Sequence, residues 1–465
     1  MSNLKHPAKY NRHFRCCGWV FLHRVDDVSS RFRRGFLYRE ASKDFLSGKM
    51  TTLAAASAPM VKLSDIQSAL ARVRKSIYVS PCTRSETFSE LTGNSIFLKL
   101  ENRQRTGAYK ERGALNKLLS LTTEERSCGV IAASAGNHAQ AVAYHASNLG
   151  IRARIVMPLA TPLIKVSATR GYGGDVVLHG ANYDEAYDEA LCLSAGEHLT
   201  FVHAFNDDEV IAGQGTLGLE LLEQHPDLEA VVVPIGGGGL IGGIACALKE
   251  TNSRIQVIGV QPARLPSVKV ALSEGKPVTL PPAVTIADGI AVRRAGERTL
   301  PLIQKYVDDV VTVEEEEIAN AVLLLLEREK TLAEGAGAAA VAAIVNRRVP
   351  MIGDKTGKKV AVVVSGGNID VTLLARIIER GLVKDGRLVR LRVHLPDYPG
   401  ALHRVTGILA QHRANIVETS YDRAYHNVNL GDTAIDITME TRGPDHIAEL
   451  ISALGANGYT HERIL

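Results

Sequence analysis

The sequence predicts an α/β protein with open, largely parallel sheets and flanking helices, followed by a small βαββαβ module. Three observations carry this. Short β-branched runs alternate with longer amphipathic ones from about residue 95. The short runs are continuously apolar, as in strands buried on both faces. The pattern then changes after turn residues and charges at 381–390. With 465 residues, 45% of them hydrophobic and 22% charged, the chain can build two or three domains with sizeable cores, which excludes disorder.

In order, the strand and helix pairs are Val130-Ile131-Ala132 with His138 to Leu149, Ala153 to Met157 with Leu163 to Arg170, and Val176-Val177-Leu178 with Tyr183 to Ser194. Phe201-Val202 with Glu209 to Glu223, Val231-Val232-Val233 with Leu240 to Lys249, and Val257-Ile258-Gly259 continue the series. Ligands are expected at the carboxyl ends of such strands. Beyond the break, Val389 to Leu395, Ala401 to Arg413, Asn415 to Ser420, Thr433 to Met439, Asp445 to Ala456 and a last short strand read as a ferredoxin-like module.

The net charge of +4 excludes a chain whose main work is wrapping nucleic acid or membrane phosphate. Residues 1–50 hold eleven Lys/Arg against four Asp/Glu, so the remaining chain is acidic by three. This basic, aromatic-rich extension reads either as a targeting segment, which would imply an organelle matrix, or as upstream translation ahead of a start at Met50. The six cysteines show no paired spacing, so neither a zinc site nor a disulfide framework is indicated, and a reducing, cytoplasmic compartment is expected. The uncharged run Ala230 to Leu248 has nineteen residues, but six glycines and Pro234 argue strand, loop and helix, so no membrane segment is expected.

Four segments carry chemistry. Gly236-Gly237-Gly238-Gly239 lies between an apolar strand and a helix, where backbone N–H groups and the helix N-terminus converge on a phosphate. Gly237, Gly239 and Gly242 also satisfy GxGxxG; the acid expected about 20 residues on is replaced by Gln261, although Arg264 could meet a 2′-phosphate, so an NADP site remains a rival. Ser134-Ala135-Gly136-Asn137-His138 again joins strand to helix and suits a carboxylate, or is an ordinary N-cap. Lys110 opens a helix, where the dipole favours the neutral amine that carbonyl condensation requires; taken alone it reads as a solvated surface lysine. Val360 to Val364 delivers Ser365, a neutral hydroxyl able to meet a ring nitrogen, or a plain cap.

Leu98-Lys99-Leu100-Glu101-Asn102, Thr106 to Gly113, Ser134 to Gln140, the tetraglycine loop and Ser365-Gly366-Gly367-Asn368, in this order, resemble the pyridoxal-phosphate enzymes of the tryptophan-synthase-β type, most closely the threonine and serine dehydratases. The resemblance covers roughly residues 62–385. It implies a two-lobed catalytic domain at 61–385, with a smaller lobe inserted at about 95–205, after an extension at 1–60. Residues 388–465 are similar to ACT-type amino-acid-sensing modules, with Asp397 to Gly400 as the turn before the first helix.

By that resemblance Lys110 holds pyridoxal 5′-phosphate as an internal aldimine and is the catalytic base. Asn137 bonds the ring hydroxyl, Gly236, Gly237, Gly238 and Gly239 cradle the phosphate, Ser365 faces the pyridine nitrogen and Tyr109 lies beside the ring. Ser134, Gly136, Asn137 and His138 clamp the substrate carboxylate. The implied reaction is dehydrative deamination of threonine to 2-oxobutanoate and ammonia, with serine as a secondary substrate, in a regulated homodimer or homotetramer. Racemisation is disfavoured because Ala135 stands where racemases carry a second Ser, and no metal is implied, since Gln261, Arg264 and Ser267 stand where some relatives place acids. Glu334 matches a position near the ring but reads equally as a helix-start carboxylate; Glu314 to Glu317 reads as a solvated first helical turn, and neither His138 nor His179 needs a catalytic role. Within this resemblance the alternative is an L-serine dehydratase or racemase-like pyridoxal-phosphate enzyme; outside it, an NADP-dependent reductase and a non-enzymatic amino-acid sensor are the rivals.

Overall fold

The computed structural model describes residues 60–353, 356–422 and 431–464; the basic extension lies outside these residues. Two parallel sheets form the body. The larger runs in the order Cys82–Arg84, Ser95–Leu100, Lys359–Val364, Ala230–Pro234, Gln256–Pro262, Asp309–Val313. All its neighbours are parallel except the first pair. The smaller runs Asp175–Leu178, Ala153–Met157, Val130–Ala133, Thr200–Phe201, parallel throughout.

The continuous apolar runs have the reason expected of them. Along Ala230–Pro234 every residue is buried. Val232 points into the core layer on one face, while Val231 and Val233 enter the layer on the other. Sequence placed the smaller lobe at about 95–205, but Ser95–Leu100 pairs with Lys359–Val364 in the large sheet, so the small sheet begins only at Val130. The short antiparallel partner Cys82–Arg84 and a distant parallel strand fix that placement, and neither is visible as a local pattern.

The strand Ser95–Leu100 and the helix Lys110–Ser120 are joined by a fully buried ionic cluster. Arg112 Nε and Nη2 donate to Glu101 at 2.8 Å each, and Nη1 and Nη2 donate to Glu220 at 2.7 and 2.8 Å. Lys99 Nζ donates to Glu220 at 2.9 Å and to Ser80 O at 2.8 Å. Burial works to raise the Glu101 carboxyl, yet the Arg112 guanidinium beside it holds it below its usual range. Such paired charges tolerate burial only as a set.

Residues 388–422 and 431–464 fold as the ferredoxin-like module predicted. Its antiparallel sheet runs Asn415–Asp422, Asp432–Glu440, Leu388–Pro396, His461–Ile464. Alternate residues Val389, Leu391, Val393 and Leu395 bury against the helices Ala401–Gln411 and Pro444–Ala456. Arg390 and Arg392 turn to the other face and pair with Glu418, Asp436 and Glu462.

Candidate active site

Three strands end at one cavity. Val130–Ala133 leads into Ser134 to His138, Ala230–Pro234 into the four glycines, and Lys359–Val364 into Ser365 to Asn368. The cavity has a volume of about 940 Å³ and is lined by Tyr109, Lys110, Ser134, Gly136, Asn137 and His138, and by Gly236, Gly237, Gly238 and Gly239. Of the cofactor- and substrate-binding residues that the resemblance implies, Ser365 alone is not on this lining. It is buried behind it, its hydroxyl 3.4 Å from Ala336 O.

Lys110 is the first residue of its helix. The preceding segment is held against the third strand end: Ala108 and Gly366 form an antiparallel bridge, Tyr109 N donates to Ser365 O at 3.0 Å, and Gly367 N donates to Gly107 O at 2.9 Å. Lys110 Nζ donates to Ala204 O at 2.8 Å. Burial disfavours its ammonium form and lowers its pKa to about 8, with Glu334 opposing. Burial likewise pushes the Tyr109 phenol up. A lysine so placed is a neutral amine about one-tenth of the time at pH 7, far more than an ordinary lysine.

The glycine loop is built to exclude side chains. Gly238 adopts φ +97° as the N-cap of the helix Gly239–Thr251. A Cβ on Gly237 would lie 2.4 Å from three ring carbons of Phe205. Thr299 Oγ1 donates to Gly237 O at 2.6 Å and pins the turn. The first N–H groups of that helix have no acceptor within it, so they are available to an anion in the cavity.

Ser134 Oγ accepts from Gly136 N at 3.2 Å, so the second segment is also an internally braced turn. His138 is buried. Its Nε2 lies 2.8 Å from Val202 O and must be the protonated nitrogen, because a carbonyl only accepts. Burial, with Lys110 nearby, depresses its pKa to about 3, so it is neutral. Glu334 moves from helix-start carboxylate to cavity wall, and it is in fact both: it is the N-cap residue of Gly335–Val345 and lines the cavity. Burial, with Asp288 next in weight, raises its pKa to about 7.

A profile of the family described as pyridoxal-phosphate dependent enzyme matches residues 73–366. The chain belongs to this family. Among its relatives, L-threonine ammonia-lyase of Geobacter sulfurreducens is 50% identical over 86% of this chain and 98% of its own length, and that of Thermotoga maritima is 48% identical over the same shares. The catabolic L-threonine dehydratase of Escherichia coli is 43% identical over 68% of this chain and 96% of its own. Processed threonine deaminase isoform 2 of Solanum lycopersicum superposes with a TM-score of 0.65 at 37% identity, covering 69% of this chain and 90% of that one. Maize serine racemase gives 0.66 at 33% identity, covering 70% and 99%.

The family's cofactor, pyridoxal phosphate, fits what the chain presents. The glycine turn, which a Cβ would fill, offers N–H groups to a phosphate, and the half-buried amine of Lys110 lines the same cavity. Gln261, weighed from sequence for a ribose or a cation, is committed elsewhere: its Oε1 accepts from Val268 N and Lys269 N at 3.0 Å each. Among the described residues no cluster of His, Cys, Asp and Glu could hold a metal, and no helix is long and apolar enough to cross a membrane. The acidic run opens the helix Glu315–Glu327 as expected, with Glu314 and Glu317 forming its capping box, but Glu315 also accepts from Ile286 N at 2.7 Å.

Sequence reasoning missed His203, Ala204 and Phe205. His203 Nδ1 accepts from Phe205 N and Asn206 N at 3.2 and 2.9 Å, which shapes the turn that offers Ala204 O to Lys110. The available signal was position: Phe201-Val202 is a strand, and its carboxyl end was a place to look.

Proposed function

We propose that this chain is a pyridoxal-phosphate-dependent L-threonine ammonia-lyase. It converts L-threonine to 2-oxobutanoate and ammonia, with L-serine as a second substrate. The observation that carries the reading is the half-buried Lys110, poised near pH 8, on one cavity with a side-chain-free glycine turn. The names of the relatives support the substrate.

Lys110 would hold pyridoxal phosphate through its amine, Gly236 to Gly239 would hold the phosphate, Asn137 the ring hydroxyl and Ser365 the ring nitrogen, with Tyr109 beside the ring. The bound cofactor supplies an electrophilic carbon for the substrate amine and a conjugated ring that accepts the electrons left when Cα loses its proton. Ser134, Gly136, Asn137 and His138 orient the substrate carboxylate, chiefly through N–H groups of a helix start. His138 remains neutral, so it adds no competing charge there. Once displaced by substrate, the Lys110 amine takes the Cα proton, and a pKa of about 8 leaves it enough free base to do so near neutrality. A hydroxyl such as that of Ser365 cannot protonate a ring nitrogen as a carboxylic acid can. The β-hydroxyl leaves as water once it gains a proton, and the weaker electron demand of such a ring would favour that departure over return of the proton to Cα. The released enamine tautomerises and hydrolyses in water to the oxo acid and ammonia.

In this reading residues 61–385 are the catalytic domain, and 388–465 an ACT-type module that binds an amino acid such as isoleucine or valine. The chain works as a homodimer or homotetramer in the cytoplasm, or in an organelle matrix if residues 1–50 direct it there. Incubation of the purified chain with L-threonine tests the activity: 2-oxobutanoate should accumulate, and D-threonine should not form. Removing residues 390–465 should abolish the response to isoleucine or valine while turnover stays; an unchanged response would refute the regulatory assignment.

A further inference from the structure

The Asn137 amide has a fixed polarity, and a neighbouring side chain without a role so far sets it. A backbone carbonyl can only accept, so the group that Asn368 turns to Thr106 O, 2.7 Å away, is its Nδ2. The same nitrogen lies 2.8 Å from the Asn137 side chain, which must therefore present Oδ1. Asn137 Nδ2 is thereby turned toward Glu334 Oε1 at 2.6 Å. One backbone carbonyl thus anchors the orientation of the whole chain of amides. Asn368 has little room to swing: a Cβ on Gly107 would fall 2.5 Å from its Oδ1, and Gly107 has φ +77°.

We propose that Asn368 is a positioning residue whose amide, anchored on Thr106 O, locks Asn137 with its Nδ2 toward the Glu334 side of the cavity, so that the site always offers an N–H donor there. The inference rests on the pyridoxal phosphate reading above, in which that donor meets the cofactor's ring hydroxyl. The link also joins the lobes, because Asn137 opens a helix of the small lobe and Asn368 follows a strand of the large one.

The test compares Asn368→Asp with Asn368→Ala in the holoenzyme. Asp keeps the shape but has no donor, so Asn137 turns over and presents Oδ1 where Nδ2 stood; Ala leaves both orientations open. Loss of one oriented donor corresponds to about a hundredfold in kcat, so Asp should fall by that factor and Ala by less, with KM little changed in both. The visible band of the holoenzyme should titrate about one pH unit higher in Asp, because an acceptor beside the ring hydroxyl disfavours its ionised form. Unchanged melting of the cofactor-free proteins separates this from misfolding. If Ala is the more damaging variant and the band titrates as in the wild type, Asn368 merely fills space and the proposal is overturned. A wild-type chain without a visible band overturns the pyridoxal phosphate reading itself, and a normal band with unshifted variants overturns this proposal alone.

Discussion

Gly237→Ala should cost the protein its cofactor rather than its fold. The added Cβ would stand 2.4 Å from three carbons of the Phe205 ring, where ordinary contact begins at 3.4 Å, a shortfall of about 1 Å. Phe205 cannot simply move aside. Its ring packs edge-on against His203 with centroids 4.6 Å apart, and its Cβ and backbone already lie 3.0 to 3.1 Å from where a Cβ on Gly239 would sit. The turn must yield instead, loosening the bond from Thr299 to Gly237 O. Overpacking of this kind costs about 1–3 kcal/mol, which as lost affinity is about fivefold to 150-fold. The assay is titration of pyridoxal phosphate into the cofactor-free protein, followed by its visible band. Gly196→Ala is the control, because nothing lies within 4 Å of a Cβ there; it should bind normally and be slightly stabilised. Adding Phe205→Ala to Gly237→Ala should recover part of the affinity, since the clash is between those two residues. Wild-type affinity in Gly237→Ala, or no recovery in the double variant, would refute the reasoning.

Two further outcomes follow from buried charge. Arg112→Met leaves Glu101 without its cation in the core and Glu220 with Lys99 alone, and should lower unfolding free energy by about 3–5 kcal/mol in a denaturant titration; a loss below about 1 kcal/mol would mean the cluster is hydrated. His138 and His203 have folded pKa values depressed to about 3 and about 4, mainly by burial, against 6.5. As pH falls below 6.5 the unfolded chain therefore binds protons that the folded chain does not, and stability is lost from 6.5 down toward 4. His203→Asn keeps an acceptor for Phe205 N and Asn206 N but does not titrate, so its melting temperature should fall less steeply over that range; an unaltered slope would contradict the assignment.

Segments that announce themselves locally were legible in the sequence. The apolar run Val231-Val232-Val233 buries on both faces, and the alternation in Val389 to Leu395 buries on one, as their patterns require. The strand ends carrying Asn137 and the four glycines were found because ligands gather at such ends and glycine runs have few other uses, and Lys110 because it opens a helix. Pairing at a distance was not legible. Nothing near Ser95–Leu100 shows that its parallel partner lies at Lys359–Val364, so the lobe boundary was misplaced. Glu334 was ambiguous for a similar reason: a helix-start carboxylate becomes a cavity group only through Asn137, which lies 197 positions away in sequence. His203 carries no motif at all; its role comes from the turn it braces.

The most direct test of the account is to find which lysine carries the cofactor. Borohydride reduction of the purified holoenzyme converts a lysine-bound pyridoxal to a stable secondary amine that can be located by peptide mass. The label should fall on the peptide containing Lys110, and Lys110→Ala should show neither label nor 2-oxobutanoate from L-threonine. Label on Lys165, the other lysine lining the cavity, or turnover of L-threonine that survives in Lys110→Ala, would contradict the account.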